Sequence, residues 1–410
     1  MRKILILFII LCSVSETYAQ QLFSDSVEVS ILTGEPGVMS FERFGHTAIR
    51  IRDLKRPSAD LIFHYGVYNY REPYFVLHFV EGICNYKMGA VYTDDFIDEY
   101  QRRGLGMTEQ VLNLNAQQSR HFTDALLENY RPENRNYRYN FFFDNCATRP
   151  FDMLNRYGRD SISSDTGFIG DIVYDTTWIE PVTLRQMLQQ KTGTGNWLDF
   201  GIALALAGRA DQTASFREQM FLPDHLRKAY QNATLDGLPL VKENRRVTDY
   251  RPEILEAIQD DGIFALKPFN IAFVLLLVAV ALSSWESKRK NNLGRRYSTS
   301  KATRFFDSFW LLATGVTGII IWFLNFFSEH PAVDNNINCM WLLPTNLFFV
   351  AFIWIKNAKK IRRIYFFIIF ALAIIYLISA SLADQYCHPA FVVLCAMMIV
   401  RCLSSIKLEV

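Results

Sequence analysis

Net charge is the first thing this sequence has little of. Its 43 Lys and Arg residues face 41 Asp and Glu, a formal +2 over 410 residues. That balance argues against a nucleic-acid binder, which needs a basic surface. Residues 20–267 hold no internal repeat and no low-complexity stretch. No cluster of His, Cys and Asp has metal-ligand spacing, so no metal and no soluble cofactor is called for. Two stretches, 328–338 and 384–388, lack Lys and Arg altogether.

What is present divides into two unlike halves. Residues up to about 265 read as a mixed globular segment, and 269–403 carry long apolar runs. Five runs extend roughly over Phe269 to Trp285, Phe306 to Phe327, Met340 to Ile355, Ile364 to Leu382 and Ala390 to Arg401. A spanning helix needs about 20 apolar residues. The third and fifth runs are short but bounded by polar loops. Lys288, Arg289, Lys290, Arg295, Arg296, Lys301 and Arg304 crowd the first connection, and Lys356, Lys359, Lys360, Arg362 and Arg363 the third. The positive-inside rule places these loops in the cytoplasm and the basic-free loops outside.

The N-terminus agrees. Arg2 and Lys3 precede an apolar run, Ile4 to Leu11, too short to span comfortably, and Thr17-Tyr18-Ala19 offers a cleavage site. This pattern reads as a secretory signal, with an uncleaved anchor as the alternative. The expected organisation is a signal peptide (1–19), an exported domain (20–160), an accessory exported region (161–267), a transmembrane domain (268–403) and a cytoplasmic tail (404–410). Cys339 and Cys387 fall on the oxidising side, where a disulfide is open to them.

Within the exported part, strands are expected over Ser26 to Leu32, His46 to Ile51, Leu61 to Tyr68, Ile83 to Tyr92, Thr108 to Leu114 and Tyr137 to Phe143. Helices are expected from Thr93 to Arg103, from Asn115 to Tyr130 and from Asn145 to Tyr157. Further helices are expected over Thr183 to Gln190 and Asp224 to Leu235, with a strand or hairpin arm over Leu238 to Val247. The apolar stretch Trp197 to Ala207 is short for a span and suits packing on the domain or on the membrane surface. The class is α+β, followed by an all-α membrane part.

Two short motifs bear chemistry. In Phe44-Gly45-His46-Thr47-Ala48, a glycine precedes a histidine at a strand start. In Asp144-Asn145-Cys146-Ala147-Thr148-Arg149, a cysteine sits where a strand turns into a helix. A helix N-terminus favours thiolate and lowers the thiol pKa, and its free N–H groups suit an oxyanion. A nearby imidazole completes an activated nucleophile. Taken singly, each residue has a plainer reading, since most free cysteines are small buried hydrophobes. His64, on the next expected strand, is either the third member that orients His46 or a packed strand residue.

The order Gly-His, then Asn-Cys at a helix start, resembles the circularly permuted NlpC/P60 papain-like fold. It is similar also to lecithin–retinol acyltransferase-like enzymes. Phe44-Gly45-His46-Thr47-Ala48, Tyr65-Gly66, Phe79 to Gly82 with Tyr86, and Asp144 to Arg149 resemble more closely the lipoprotein N-acyltransferase family of the Bacteroidota, Lnb. The loop from His330-Pro331 through Asn338, Trp341 and Pro344 is similar to that family's as well. Family members often have Asn where this chain has His64, which leaves the third position open.

The resemblance implies a multi-pass protein of the bacterial inner membrane with its N-terminal domain in the periplasm. It implies transfer of an acyl chain from a membrane phospholipid, through a thioester on Cys146, to the N-terminal amine of a diacylated lipoprotein. His46 is then the base, and Asn145 holds or orients the oxyanion. Arg149, His330 and Asn338 are candidates for substrate contact. The polar loops that carry His330 and Asn338 also read simply as interfacial caps. Two other functions remain open: a membrane-anchored cysteine hydrolase of peptidoglycan or lipid, and a non-enzymatic receptor or assembly factor.

Overall fold

In a computed structural model, residues 22–408 are described except 38, 40–41, 70, 72, 160–169, 252–265 and 295–296. The stretch expected to be a signal sequence, with Arg295 and Arg296 of the first basic loop, lies outside the described residues.

An antiparallel sheet of seven strands organises the exported part. Its strands are β1 (Val27–Gly34), β2 (His46–Asp53), β3 (Asp60–Val67), β4 (Asn85–Tyr92), β5 (Met107–Leu112), β6 (Asn136–Arg138) and β10 (Val241–Thr248), in the order β10-β5-β1-β2-β3-β4-β6. Period-two alternation sorts the side chains by face. Val29, Ile31, Ile49, Ile51 and Phe63 point into the main core. There they meet Phe122 and Leu126 of helix α3 (Ala116–Tyr130), Phe151 and Leu154 of α4 (Thr148–Arg159) and Leu226 of α8 (Pro223–Gln231). Leu32, Ala48 and Ile62 point the other way, onto Phe96 and Tyr100 of α2 (Thr93–Arg102). Asn115 caps α3 through a reciprocal capping box with Gln118, as its position before the helix demands.

Several elements differ from expectation. The strand expected over Tyr137 to Phe143 stops at Arg138, and Phe141–Phe143 form a turn held by Asn140, whose Oδ1 accepts from the Phe142 and Phe143 N–H groups. Helix α4 begins at Thr148, so Cys146 precedes it rather than lying in its first turn. The helix expected over Asp224 to Leu235 ends at Gln231, and Ala233–Leu235 pairs instead in a small sheet with Ile172–Tyr174 (β7) and Leu238–Pro239 (β9). A short helix, α1 (Phe75–Glu81), was not expected. From the region expected to be accessory, β10 pairs with β5 in the main sheet.

The five apolar runs form helices long and apolar enough to cross a membrane. These are α9 (Pro268–Leu293), α10 (Lys301–Phe327), the 3₁₀ turn Ile337–Met340 leading into α11 (Thr345–Trp354), α12 (Lys359–Leu382) and α13 (Pro389–Leu408). The short α11 segment packs directly on α10, because a Cβ at Gly318 would stand 2.7 Å from the Leu342 carbonyl oxygen. Arg401 pairs with Asp307 at 2.9 Å through both carboxylate oxygens and donates to Ser283 Oγ at 2.7 Å, joining α13, α10 and α9.

Both basic-free loops meet the exported part. Glu329 N–H donates to Glu81 O, Ala207 N–H to Ala332 O, and Tyr386 N–H to Asp211 Oδ2. Helix α6 (Trp197–Ala205) lies between the two parts: Ala203, Phe200 and Leu204 join the membrane cluster, while Ile202 joins a second cluster with Phe141, Phe142 and Ala332. This packs α6 on the membrane part. Cys339 and Cys387 are both free, and the Cys387 Sγ lies 3.2 Å from Tyr376 Oη.

Candidate functional site

His46 opens β2, opposite Gly34. The glycine before it is required by the backbone: Gly45 has φ +77°, and a Cβ there would lie 2.7 Å from the Gly34 carbonyl oxygen. Across the sheet, Gly66 has φ +99° beside a register shift in β3, and a Cβ there would touch His46 Cε1 at 4.0 Å. The two conspicuous glycines therefore hold the backbone on either side of the imidazole.

Cys146 comes to this strand from the helix-covered face, packed against the main core. Its sulfur accepts from the backbone N–H of Thr47, the residue after His46, and from its own N–H. The sulfur thus stands against the strand residue that follows His46. Tyr100, Tyr137 and Tyr139 lie close enough to the sulfur to feel its charge. The Tyr137 hydroxyl is buried, with the backbone N–H of Gly66 beside it.

Electrostatics here differ from those expected for a cysteine at a helix start. Burial pushes the Cys146 thiol up to about 11, against the lowering effect of the two N–H groups. Burial, with a smaller contribution from His64, pushes His46 down to about 3. At neutral pH the pair is a thiol and a neutral imidazole, not a thiolate and an imidazolium. Burial is the main cause of both shifts. The Asn145 Oδ1 accepts from the N–H groups of Ala147 and Thr148, each at 2.9 Å. These two helix-end donors are therefore already taken.

Asn145 itself is 4% exposed, and its Nδ2 donates to Phe141 O at 2.9 Å and Phe221 O at 2.8 Å. Its side chain has no atom left for an oxyanion. It orients the cysteine turn and ties it to the cluster facing the membrane. Replacing Asn145 with Ala would strand two buried carbonyls and two helix-end N–H groups. A loss of about 3 kcal/mol of stability is expected, readable as a lowered midpoint in denaturant unfolding of the detergent-solubilised protein.

The remaining candidates are placed as follows. His64 stands edge-to-face with His46, ring centroids 5.4 Å apart, with no hydrogen bond between them. It packs also on Phe96 of α2. Arg149 is held by both carboxylate oxygens of Asp144, at 2.5 and 2.8 Å, and lies 3.7 Å over the Tyr137 ring. Asn338 is 1% exposed; its amide donates to Ala203 O and Leu204 O and accepts from Trp341 Nε1. It clamps α6 to the membrane part and has no group free for a substrate, contrary to expectation. His330 Nε2 donates to Phe79 O at 2.7 Å, and the ring borders an apolar cavity at the junction. Among the described residues, no group of three or more His, Cys, Asp or Glu is placed to hold a metal ion.

Sequence reasoning missed the Thr47 N–H, the tyrosines around the sulfur and helix α1. The first is a backbone group and leaves no sequence signal. The last had one, the run Phe75-Val76-Leu77 before Phe79 and Val80, too short for periodicity to separate from a strand end.

Residues 15–190 match the family model described as the Lnb N-terminal periplasmic domain, and residues 259–410 match the one described as the Lnb transmembrane domain. No curated protein and no solved structure matches the chain. A multi-pass membrane protein with a periplasmic N-terminal domain follows from these matches together with the five apolar helices.

Proposed function

This chain belongs to the Lnb family in both its halves, and from that premise we propose that it is a lipoprotein N-acyltransferase of the bacterial inner membrane. The observation that supports the reading is the approach of the Cys146 sulfur to the N–H of Thr47, next to His46 in the sequence, on a domain hydrogen-bonded to the loops that join the membrane helices. In the first half-reaction, Sγ attacks a phospholipid ester carbonyl while its proton passes to the neutral His46 imidazole. The N–H groups of Thr47 and Cys146, which face the sulfur, receive the oxyanion. The ester C–O bond breaks, His46 returns the proton to the departing alkoxide, and a lysophospholipid leaves a thioester on Cys146. In the second half, the α-amine of a diacylated lipoprotein attacks the thioester. His46 takes the amine proton and passes it to the departing thiolate, and an amide is formed.

Neither half-reaction calls for a metal or a soluble cofactor. The membrane part keeps the phospholipid and the lipoprotein beside one thiol, which supplies proximity. A hydrolase of peptidoglycan would draw nothing from five spanning helices, so the architecture favours the lipid reading over the peptide one. The test uses the purified full-length protein, a phospholipid donor and a synthetic diacylated lipopeptide. Mass spectrometry is expected to show one added acyl chain on the lipopeptide amine and a hydroxylamine-sensitive acyl group on Cys146. Cleavage of muropeptides without acylation would replace this reading with the hydrolase.

A further inference from the structure

An apolar cavity of about 380 Å³ lies where the exported part meets the membrane helices. Phe44 and Phe141 line it from the segments that lead into His46 and Cys146; Ile202 of α6 and Leu324 of α10 line it from the membrane side. Two side chains with polar groups border it, and both are engaged: the Asn140 Oδ1 with two backbone N–H groups, His330 with Phe79 O. An occupant would therefore be recognised by apolar contact alone, as a hydrocarbon chain is.

Helix α1 forms the cavity's remaining wall, through Phe79 and Val80. It has no buried residue, and Tyr74, Val76 and Leu77 are exposed, Val76 to 74%. Such a surface is out of place in water. The depth of α1 is fixed by its partners. The segment just after α10 hydrogen-bonds its last carbonyls: Ser328 Oγ to Val80 O at 2.8 Å, Glu329 N–H to Glu81 O at 2.8 Å, and His330 Nε2 to Phe79 O at 2.7 Å. Arg138 pairs with Glu329 at the same junction. Because α10 spans the membrane and ends at Phe327 with Phe326 and Phe327 exposed, α1 sits at the outer interface. That is where short apolar and aromatic surfaces insert.

We propose that α1 lies in the outer leaflet and admits one acyl chain of a membrane phospholipid sideways into this cavity, with the ester end towards Cys146. The fate of the chain rests on the acyltransferase reading; its binding does not.

The test places full-length Cys146→Ala protein, which leaves the donor uncleaved, in phosphatidylethanolamine nanodiscs containing a diazirine-tagged acyl phosphatidylethanolamine. Irradiation is expected to put adducts on residues 79–80 and 141–142. Ile202→Trp and Val80→Trp, which fill the cavity from opposite walls, should each cut those adducts at least about fivefold, with adducts on the outward-facing Phe309 and Phe367 unchanged. Adducts confined to outward faces would overturn the proposal, as would cavity adducts indifferent to both tryptophans. Should a tryptophan variant fail to fold, the adduct map without it decides. Adducts in the cavity without acyl transfer by the unsubstituted protein would sink the acyltransferase reading alone. Transfer without cavity adducts would sink the cavity proposal alone.

Discussion

Alanine at Cys146 is expected to lower acyl transfer by about 1000-fold or more, because it removes the atom to which the acyl group is bonded. His46→Ala is expected to cost about 100- to 10,000-fold, the range for a lost general base. The two residues act as a unit, so the double variant should fall no further than the worse single one. Their location makes the experiment clean. His46 is half-buried at the start of β2 and Cys146 is half-buried just before α4. Thermal unfolding of the variants should stay close to that of the parent, in contrast to Asn145→Ala. His64→Asn provides the comparison. Its ring only packs on His46 and Phe96, so a loss under about tenfold is expected. A Cys146→Ala protein that kept a tenth of its transfer would rule out the thioester.

The large features of this molecule were legible because they rest on strong, repetitive signals. Five apolar runs separated by alternately basic and basic-free loops fix a membrane topology with little reference to packing. The alternation in His46 to Ile51 likewise marked a strand, whose Ile49 and Ile51 join the main core while Ala48 joins the cluster on the other face. Asn115 announced its helix because a cap acts within one turn. His46 and Cys146 stood out through neighbours whose roles are local: a glycine forced into positive φ and an asparagine that closes a helix end.

What was not legible depends on contacts across long sequence separations. Phe141–Phe143 read as a strand because aromatic runs suit strands; they turn instead, because Phe221 and Ala332 offer them a cluster to fill. Leu238 to Val247 read as a strand or hairpin arm, and Val241–Thr248 became the sheet's edge, since nothing near it in sequence reveals β5 as its partner. Asn338 looked like a substrate contact because polar residues near a membrane suggest one. Its partners, the carbonyls of Ala203 and Leu204, are over a hundred residues away. The thiol's environment was misjudged for a related reason: burial by residues distant in sequence raises the thiol more than the two N–H groups beside it lower it.

That last point sets the expected behaviour with pH. Alkylation of Cys146 by iodoacetamide is expected to be slow at neutral pH and to rise about tenfold per pH unit as pH climbs towards the thiol's value of about 11. The sign follows from burial. The reactive thiolate is the charged form, burial disfavours it, and each unit below the thiol's pKa removes about nine-tenths of it. His46, held down to about 3, stays neutral over the same range and offers no positive charge to retain a thiolate. A preformed thiolate–imidazolium pair would behave differently, giving alkylation nearly flat from weakly acidic to weakly alkaline pH. Thioester formation, followed by release of the lysophospholipid without acceptor, should not follow the alkylation curve. It needs the neutral imidazole and the protonated thiol, both of which prevail from above pH 3 to below pH 11, so its rate is expected to be level between about pH 5 and 9. The separation of the two profiles, steep for alkylation and level for thioester formation, marks a site where the base takes the proton during attack. Coincident profiles would mean that the thiolate forms before the lipid arrives, and that the environment around Asn145 rearranges when it does.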